Sequence, residues 1–122
     1  MILPDSSAWV QFFIGGNKAD EVSPHLLSFE KIIVPTLVLH EVGRYFLKRM
    51  DEGDVLALLA QLHRGKIIPM TTEIAWKACV QGKKWKLATA DSIIYATALS
   101  EKAKVLTFDN DFRGLPHVEI LV

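Results

Sequence analysis

The sequence predicts an α/β fold built on a mostly parallel sheet. Three observations lead there. Short aliphatic runs (Ile2-Leu3, Ile32-Ile33-Val34, Ile67-Ile68 and Val105-Leu106) recur along the chain, with the brevity and β-branching of buried strands. Between them lie longer stretches with apolar residues three and four apart, the spacing of amphipathic helices. Half of the 122 residues are hydrophobic against 23% charged, a composition that builds a core. A chain of this length matches the commonest domain size, so residues 1–122 are expected to form one domain.

The elements follow in order. Ile2-Leu3 is a very short first strand. Asp5-Ser6-Ser7 supplies capping residues for a buried helix over Ala8 to Ile14, which Gly15-Gly16 ends. Asn17 to Phe29 reads as a second helix interrupted near Pro24. Ile32-Val34 is a strand, and Pro35 opens a helix over Thr36 to Met50 with Leu37, Val38, Val42, Tyr45 and Phe46 apolar. Glu52 to Arg64 is a further helix, with Val55, Leu56, Leu59 and Leu62 expected inward and Gly65 as its stop. Lys66-Pro69 is a third strand. Thr71 opens a helix through Ala75, Trp76, Cys79 and Val80 to Gly82, and Gln81 to Lys86 reads as a basic loop. Thr89 is expected to cap a helix over Ala90 to Lys102. Val105-Thr107 is the fourth strand, Asp109 to Pro116 a turn-rich loop, and Val118 to Val122 a last strand. Strands alternating with helices imply parallel pairing.

Fourteen basic and fourteen acidic side chains cancel, which argues against a tight non-specific grip on a polyanion. Cys79 stands alone, so neither an intrachain disulfide nor a cysteine-based zinc site is expected. No signal-peptide pattern opens the chain, and no apolar run approaches the ~18 residues that span a bilayer. The expectation is a soluble, cytoplasmic protein with no membrane association.

Four acids sit where a carboxylate is hard to explain structurally. Asp5 and Asp109 follow the strand runs at Ile2-Leu3 and Val105-Leu106, while Glu41 and Asp91 lie on the apolar stripes of two helices. Gathering ionised carboxylates in a core edge is costly unless a cation neutralises them. Oxygen ligands of this kind suit Mg²⁺ or Mn²⁺, and the pattern suggests metal-assisted phosphodiester chemistry. Each acid has a plainer reading alone. Asp5 is a helix-cap residue type, Glu41 could pair with Arg44 or Lys48, Asp91 suits the start of a helix, and Asp109 suits a turn where Asp111 could replace it. Their joint placement carries the argument.

Four blocks, ILPDSSAWV, TLVLHEVGRYF, LATADSIIYATA and VLTFDNDF, resemble those of PIN-domain ribonucleases, particularly the VapC-like toxins of toxin–antitoxin pairs. The resemblance covers essentially the whole chain. It implies a three-layer α/β/α fold with a four- to five-stranded sheet and a Mg²⁺-dependent endoribonuclease. Asp5, Glu41, Asp91 and Asp109 would form the acidic pocket, with Asp5, Asp91 and Asp109 on the metal and Ser6 and Thr107 as supporting hydroxyls. Glu41 would orient or deprotonate the attacking water. It also implies an antitoxin that inserts a basic side chain among the acids, and a homodimer is plausible from the apolar residues Trp9, Phe12, Phe13 and Leu37 to Phe46.

Lys84, Trp85, Lys86 and Arg113 are candidate RNA contacts, with Trp85 as the base-stacking ring and Trp76 placed in the core; His40 reads as a surface histidine. Two other readings stay open: a PIN fold that binds a partner without cutting RNA, and a PIN nuclease of housekeeping RNA processing. A phosphoacceptor receiver domain, which also gathers acids at a sheet end, lacks support here, because such domains put the acceptor Asp at the end of a central strand and a lysine on a late strand.

Overall fold

A computed structural model describes residues 1–122. β1 (Ile2–Pro4) pairs in parallel with β4 (Lys104–Thr107), Leu3 lying opposite Val105. β4 pairs in turn with β5 (Val118–Ile120). A second ladder joins β2 (Ile33–Pro35) to β3 (Lys66–Ile68), with Val34 opposite Ile67. A single parallel bridge between Ile2 and Ile32 connects the two ladders, giving the order β3-β2-β1-β4-β5. The expected sheet is thus present, as two ladders joined at one point.

Successive strand residues face opposite sides of a sheet. Ile33 and Val34 are both fully buried, as are Val105 and Leu106, so both faces must be covered. Helices provide that cover, making three layers. α1 (Ser6–Ile14) packs on β1 and β4, and α3 (Thr36–Leu47) packs on β2 and against α1. α6 (Thr89–Ser100) lies on β2 and β4, with α5 (Thr72–Trp85) along it. α2 (Asn17–Val22) and α4 (Glu52–Leu62) complete the set. One core of 27 buried residues joins all of this, with Trp9, Tyr95 and Phe112 the largest fully buried members.

Several expectations are corrected. The helix from Asn17 ends at Val22, and two 3-10 turns, Ser23–Leu26 and Phe29–Lys31, replace its second half, since Pro24 has no N–H to continue the ladder. Leu56 points outward, 67% exposed, because the inward stripe runs through Val55 and Leu62. α5 does not stop at Gly82; the supposed loop Gln81 to Lys86 is helical through Trp85, and Lys86 closes it in the left-handed region at φ 57°. Gly82 serves contact instead of termination: a Cβ there would lie 3.1 Å from Ser92 Cβ on α6. Ala88, not Thr89, caps α6, and it does so without a side-chain bond. Trp9 is buried to 1% exposure, so it belongs to the core and offers no docking surface. Trp76, expected in the core, is 69% exposed.

Candidate functional site

The strand order runs outward from β1 in both directions, so the β1–β4 junction is where the winding reverses. Ligands of such sheets bind outside the carboxyl ends of the strands at this point. Asp5 follows β1 there and Asp109 follows β4.

Asp5 is 4% exposed and held by three donors. Its Oδ1 accepts from Ser7 Oγ at 2.6 Å and from the Ala8 N–H at 3.1 Å, which caps α1. Its Oδ2 accepts from Thr107 Oγ1 at 2.5 Å. Each hydroxyl has one proton and gives it to Asp5, so the 3.3 Å approach of Ser7 Oγ to Thr107 Oγ1 adds no bond between them. Both hydroxyl oxygens then accept backbone N–H groups, Ser7 from Phe108 at 3.0 Å and Thr107 from Asp109 at 2.9 Å. The loop after β4 is therefore wired through two hydroxyls to the carboxylate after β1. Burial pushes the Asp5 carboxyl above its usual range; the three hydrogen bonds oppose this and the charge of Asp109 adds to it.

Glu41 stands on α3, one turn beyond Leu37, with no cationic partner; neither Arg44 nor Lys48 pairs with it. Its Oε1 is buried and accepts no hydrogen bond. Burial raises its proton affinity, the Ser6 hydroxyl opposes, and the charge of Asp5 adds to the rise. Asp91, in the first turn of α6, feels all the others. Its pKa is raised to about 6, by burial first and then by Asp109, Asp111, Asp5 and Glu41. Asp109 caps the 3-10 turn Asn110–Phe112, its Oδ1 accepting the Asp111 N–H at 2.9 Å.

Asp91, Asp109 and Asp111 can each bring a carboxylate oxygen within 4.8 Å of the other two, close enough to share an ion. The tightest group thus contains Asp111, which was expected only as a substitute for Asp109, while Asp5 couples to it through charge and through the wired loop. The two acids reach one spot because a capping side chain folds over its own turn, a signal present in the Asp109-Asn110-Asp111 spacing. Ser7 was missed for a similar reason. Of the two serines after Asp5, the second lies over the capped turn and reaches the carboxylate, whereas Ser6 faces Glu41.

The candidate RNA contacts scatter. Lys84, Lys86 and Arg113 are exposed, as is His40. Trp85 is half-buried, its Nε1–H donating to Gln81 Oε1 at 3.1 Å and its ring 5.2 Å from the Lys84 ammonium. That leaves little open face for stacking.

A family model of the PIN domain matches residues 2–118. No curated protein matches the sequence. Among solved structures, a toxin–antitoxin complex from Klebsiella pneumoniae superposes with a TM-score of 0.84 at 23% identity, over 98% of this chain and 96% of that one. VapC20 of Mycobacterium tuberculosis, described as a sarcin–ricin-loop-cleaving toxin, gives 0.73 at 17% identity over all of both chains. VapBC2 of Rickettsia felis, bound to a DNA fragment from its promoter, gives 0.75 at 19%, again over all of both chains. At these identities the likeness is one of fold.

Proposed function

The chain belongs to the PIN-domain family, and from that premise we propose that it is a divalent-metal-dependent endoribonuclease, the toxin of a toxin–antitoxin pair. The observation that carries this reading is the convergence of five carboxylates on the strand-order reversal, with no lysine or arginine paired to any of them. Clustered negative charge without a cation is unfavourable, and it adds to burial in raising the pKa of Asp91.

The donor set fits a hard ion. All candidate ligands are carboxylate oxygens, which suit Mg²⁺ or Mn²⁺, and Asp91, Asp109 and Asp111 approach closely enough to hold one. An ion bound there would neutralise the cluster, acidify a water and offset charge on a phosphodiester. Three hydrogen bonds hold the Asp5 carboxylate in place, so it would act as a fixed charge that steadies the site. Glu41 has the free acceptor, Oε1, and raised proton affinity; it would take a proton from the attacking water. Attack of water at phosphorus would leave a 3′-hydroxyl and a 5′-phosphate.

The unpaired acids also fit a partner. An antitoxin presenting an arginine would form bidentate carboxylate pairs and exclude metal and RNA together. The likeness to a toxin–antitoxin complex supports that partner. Self-association belongs to the same proposal, through α1 and α3, where Phe12, Phe13, Leu37 and Tyr45 remain partly exposed.

The test is cleavage of RNA by the purified chain with Mg²⁺, with Mn²⁺ and with EDTA, beside Asp91→Asn. Metal-dependent cleavage lost in the variant is expected. Cleavage in EDTA, or full activity in Asp91→Asn, would overturn the mechanism. Expression of the chain alone should arrest growth while Asp5→Ala is tolerated; equal growth of both would remove the toxin role and leave the nuclease standing.

A further inference from the structure

We propose that the outer face of α5 is a docking track for single-stranded RNA, with Trp76 as a base-stacking platform and Lys83 and Lys84 as phosphate contacts; this rests on the ribonuclease reading above. The inward stripe of α5 is Ile74 and Ala78, with Trp85 half-buried. Trp76 contributes nothing to that packing. It stands 69% exposed beside Val80, 46% exposed, and both line a hollow of about 630 Å³ with Cys79, Lys83 and Lys84. A large exposed ring with no structural partner points to something that covers it.

The charge pattern says what. From Thr72 to Lys86 there are four lysines against one glutamate, a local surplus in a chain whose net charge is zero. Lys77 spends its charge on Glu73 at 3.1 Å, while Lys83, Lys84 and Lys86 pair with no carboxylate. Positive charge interleaved with an exposed indole is the chemistry that holds single strands, since phosphates meet the ammonium groups and unpaired bases stack on the ring. A duplex keeps its bases stacked internally and gains nothing from Trp76. A second copy docked face to face would set Lys83 and Lys84 against their own counterparts with no acid to neutralise them.

The track leads to the start of the helix that carries Asp91. The Trp76 hollow shares Cys79 and Lys83 with a second hollow of about 350 Å³ between α5 and α6, which reaches Thr89 and Ser92 on either side of Asp91. At that end the helices touch, Gly82 against Ser92. Trp76 lies eight residues before Lys84, about 12 Å along the helix axis. A strand stacked on Trp76 and following the lysines is therefore delivered to the first turn of α6.

The experiment reads binding apart from cleavage. Asp91→Asn chain in EDTA is titrated with a fluorescently labelled oligoribonucleotide of about eight nucleotides, and anisotropy is followed across salt concentrations. Adding Trp76→Ala should weaken binding about tenfold, while Trp76→Phe keeps most of it. Lys83→Gln and Lys84→Gln should each flatten the slope of log K against log salt by about 0.7. Thermal unfolding of each variant confirms that the fold is kept, as expected for exposed positions. Parental affinity and slope in Trp76→Ala and in both lysine variants would overturn the track, even if RNA is still cut in Mg²⁺. Trp76-dependent binding without any cleavage would uphold the track while the nuclease reading fails. If sedimentation shows a dimer that Trp76→Ala dissociates without changing RNA affinity, the face is a self-interface and the proposal is wrong.

Discussion

The Thr107 hydroxyl and the Asp5 carboxylate, 102 positions apart in the chain, meet at 2.5 Å. The bond ties the end of β4 to the turn after β1, and Asp109 hangs from the same hydroxyl by its N–H. Thr107→Val keeps the shape, removes the donor and strands that N–H. It should cost about 1–3 kcal/mol, read as a lower urea midpoint at unchanged slope. Ser7→Ala should cost a similar amount and Ser6→Ala much less. A Ser6→Ala variant as unstable as Ser7→Ala would contradict the wiring described.

Asp91 sets a pH dependence whose sign can be worked out. Its folded pKa is about 6, above the unfolded value near 3.8. Between these values the native state holds the proton more often, so stability falls as pH rises through the window. The metal-free chain should therefore be more stable near pH 4 than near pH 7 as far as Asp91 governs it, and Asp91→Asn should flatten the curve. Melting temperatures across pH in EDTA make the measurement; identical profiles for parent and variant would sink the assignment.

Protons and metal compete for the same oxygens. Mg²⁺ or Mn²⁺ should raise the melting temperature, with about 2.7 kcal/mol of added stability at a hundredfold excess over Kd. The gain should shrink as pH drops below about 6, where Asp91 holds its proton. Asp109→Asn and Asp111→Asn should each weaken the shift. Should Asp111→Asn respond to metal like the parent, Asp111 lies outside the ion's reach.

Glu41→Gln replaces the half-buried acid by a neutral amide. Folding should be unharmed or improved at neutral pH, because a half-buried charge with no cation beside it disappears. RNA cleavage should fall by about 10²–10⁴, the usual loss of a general base. Single-turnover rates with saturating metal test this. Asp5→Asn preserves the α1 cap but gives up the acceptor for Thr107, so it should also lose activity and soften the fold less than Asp5→Ala does.

The strands were legible as short aliphatic runs, and the four acids stood out because a carboxylate after such a run, or on the apolar stripe of a helix, conflicts with its surroundings, and such conflict is visible without coordinates. What escaped was geometry within a turn. Nothing in Asp5-Ser6-Ser7 alone says which serine folds back, and Asp111 reads as an exposed loop acid until its turn is built. α5 misled for a different reason. Trp76, Cys79, Val80 and Lys83 form one helical stripe, and Ile74, Ala78 and Trp85 form another; hydrophobicity did not choose between them. Reading Gly82 as a stop hid its packing against Ser92, which only the partner helix reveals.

The seam between the two ladders has a consequence for how the acids are held. Asp5 and Asp109 belong to the β1–β4–β5 ladder, and Asp91 rides on α6, which leads into β4. Glu41 rides on α3, which hangs from β2, and β2 is stitched to β1 only at Ile2 and Ile32. Its registration with the other acids depends on side-chain packing, Val38 and Val42 in the core among α1, α6 and β2, and hardly at all on shared backbone hydrogen bonds. Trimming a methyl group from that packing would let Glu41 drift from the other acids while every charged residue stayed in the sequence, so a silent-looking core change would loosen the cluster from a distance.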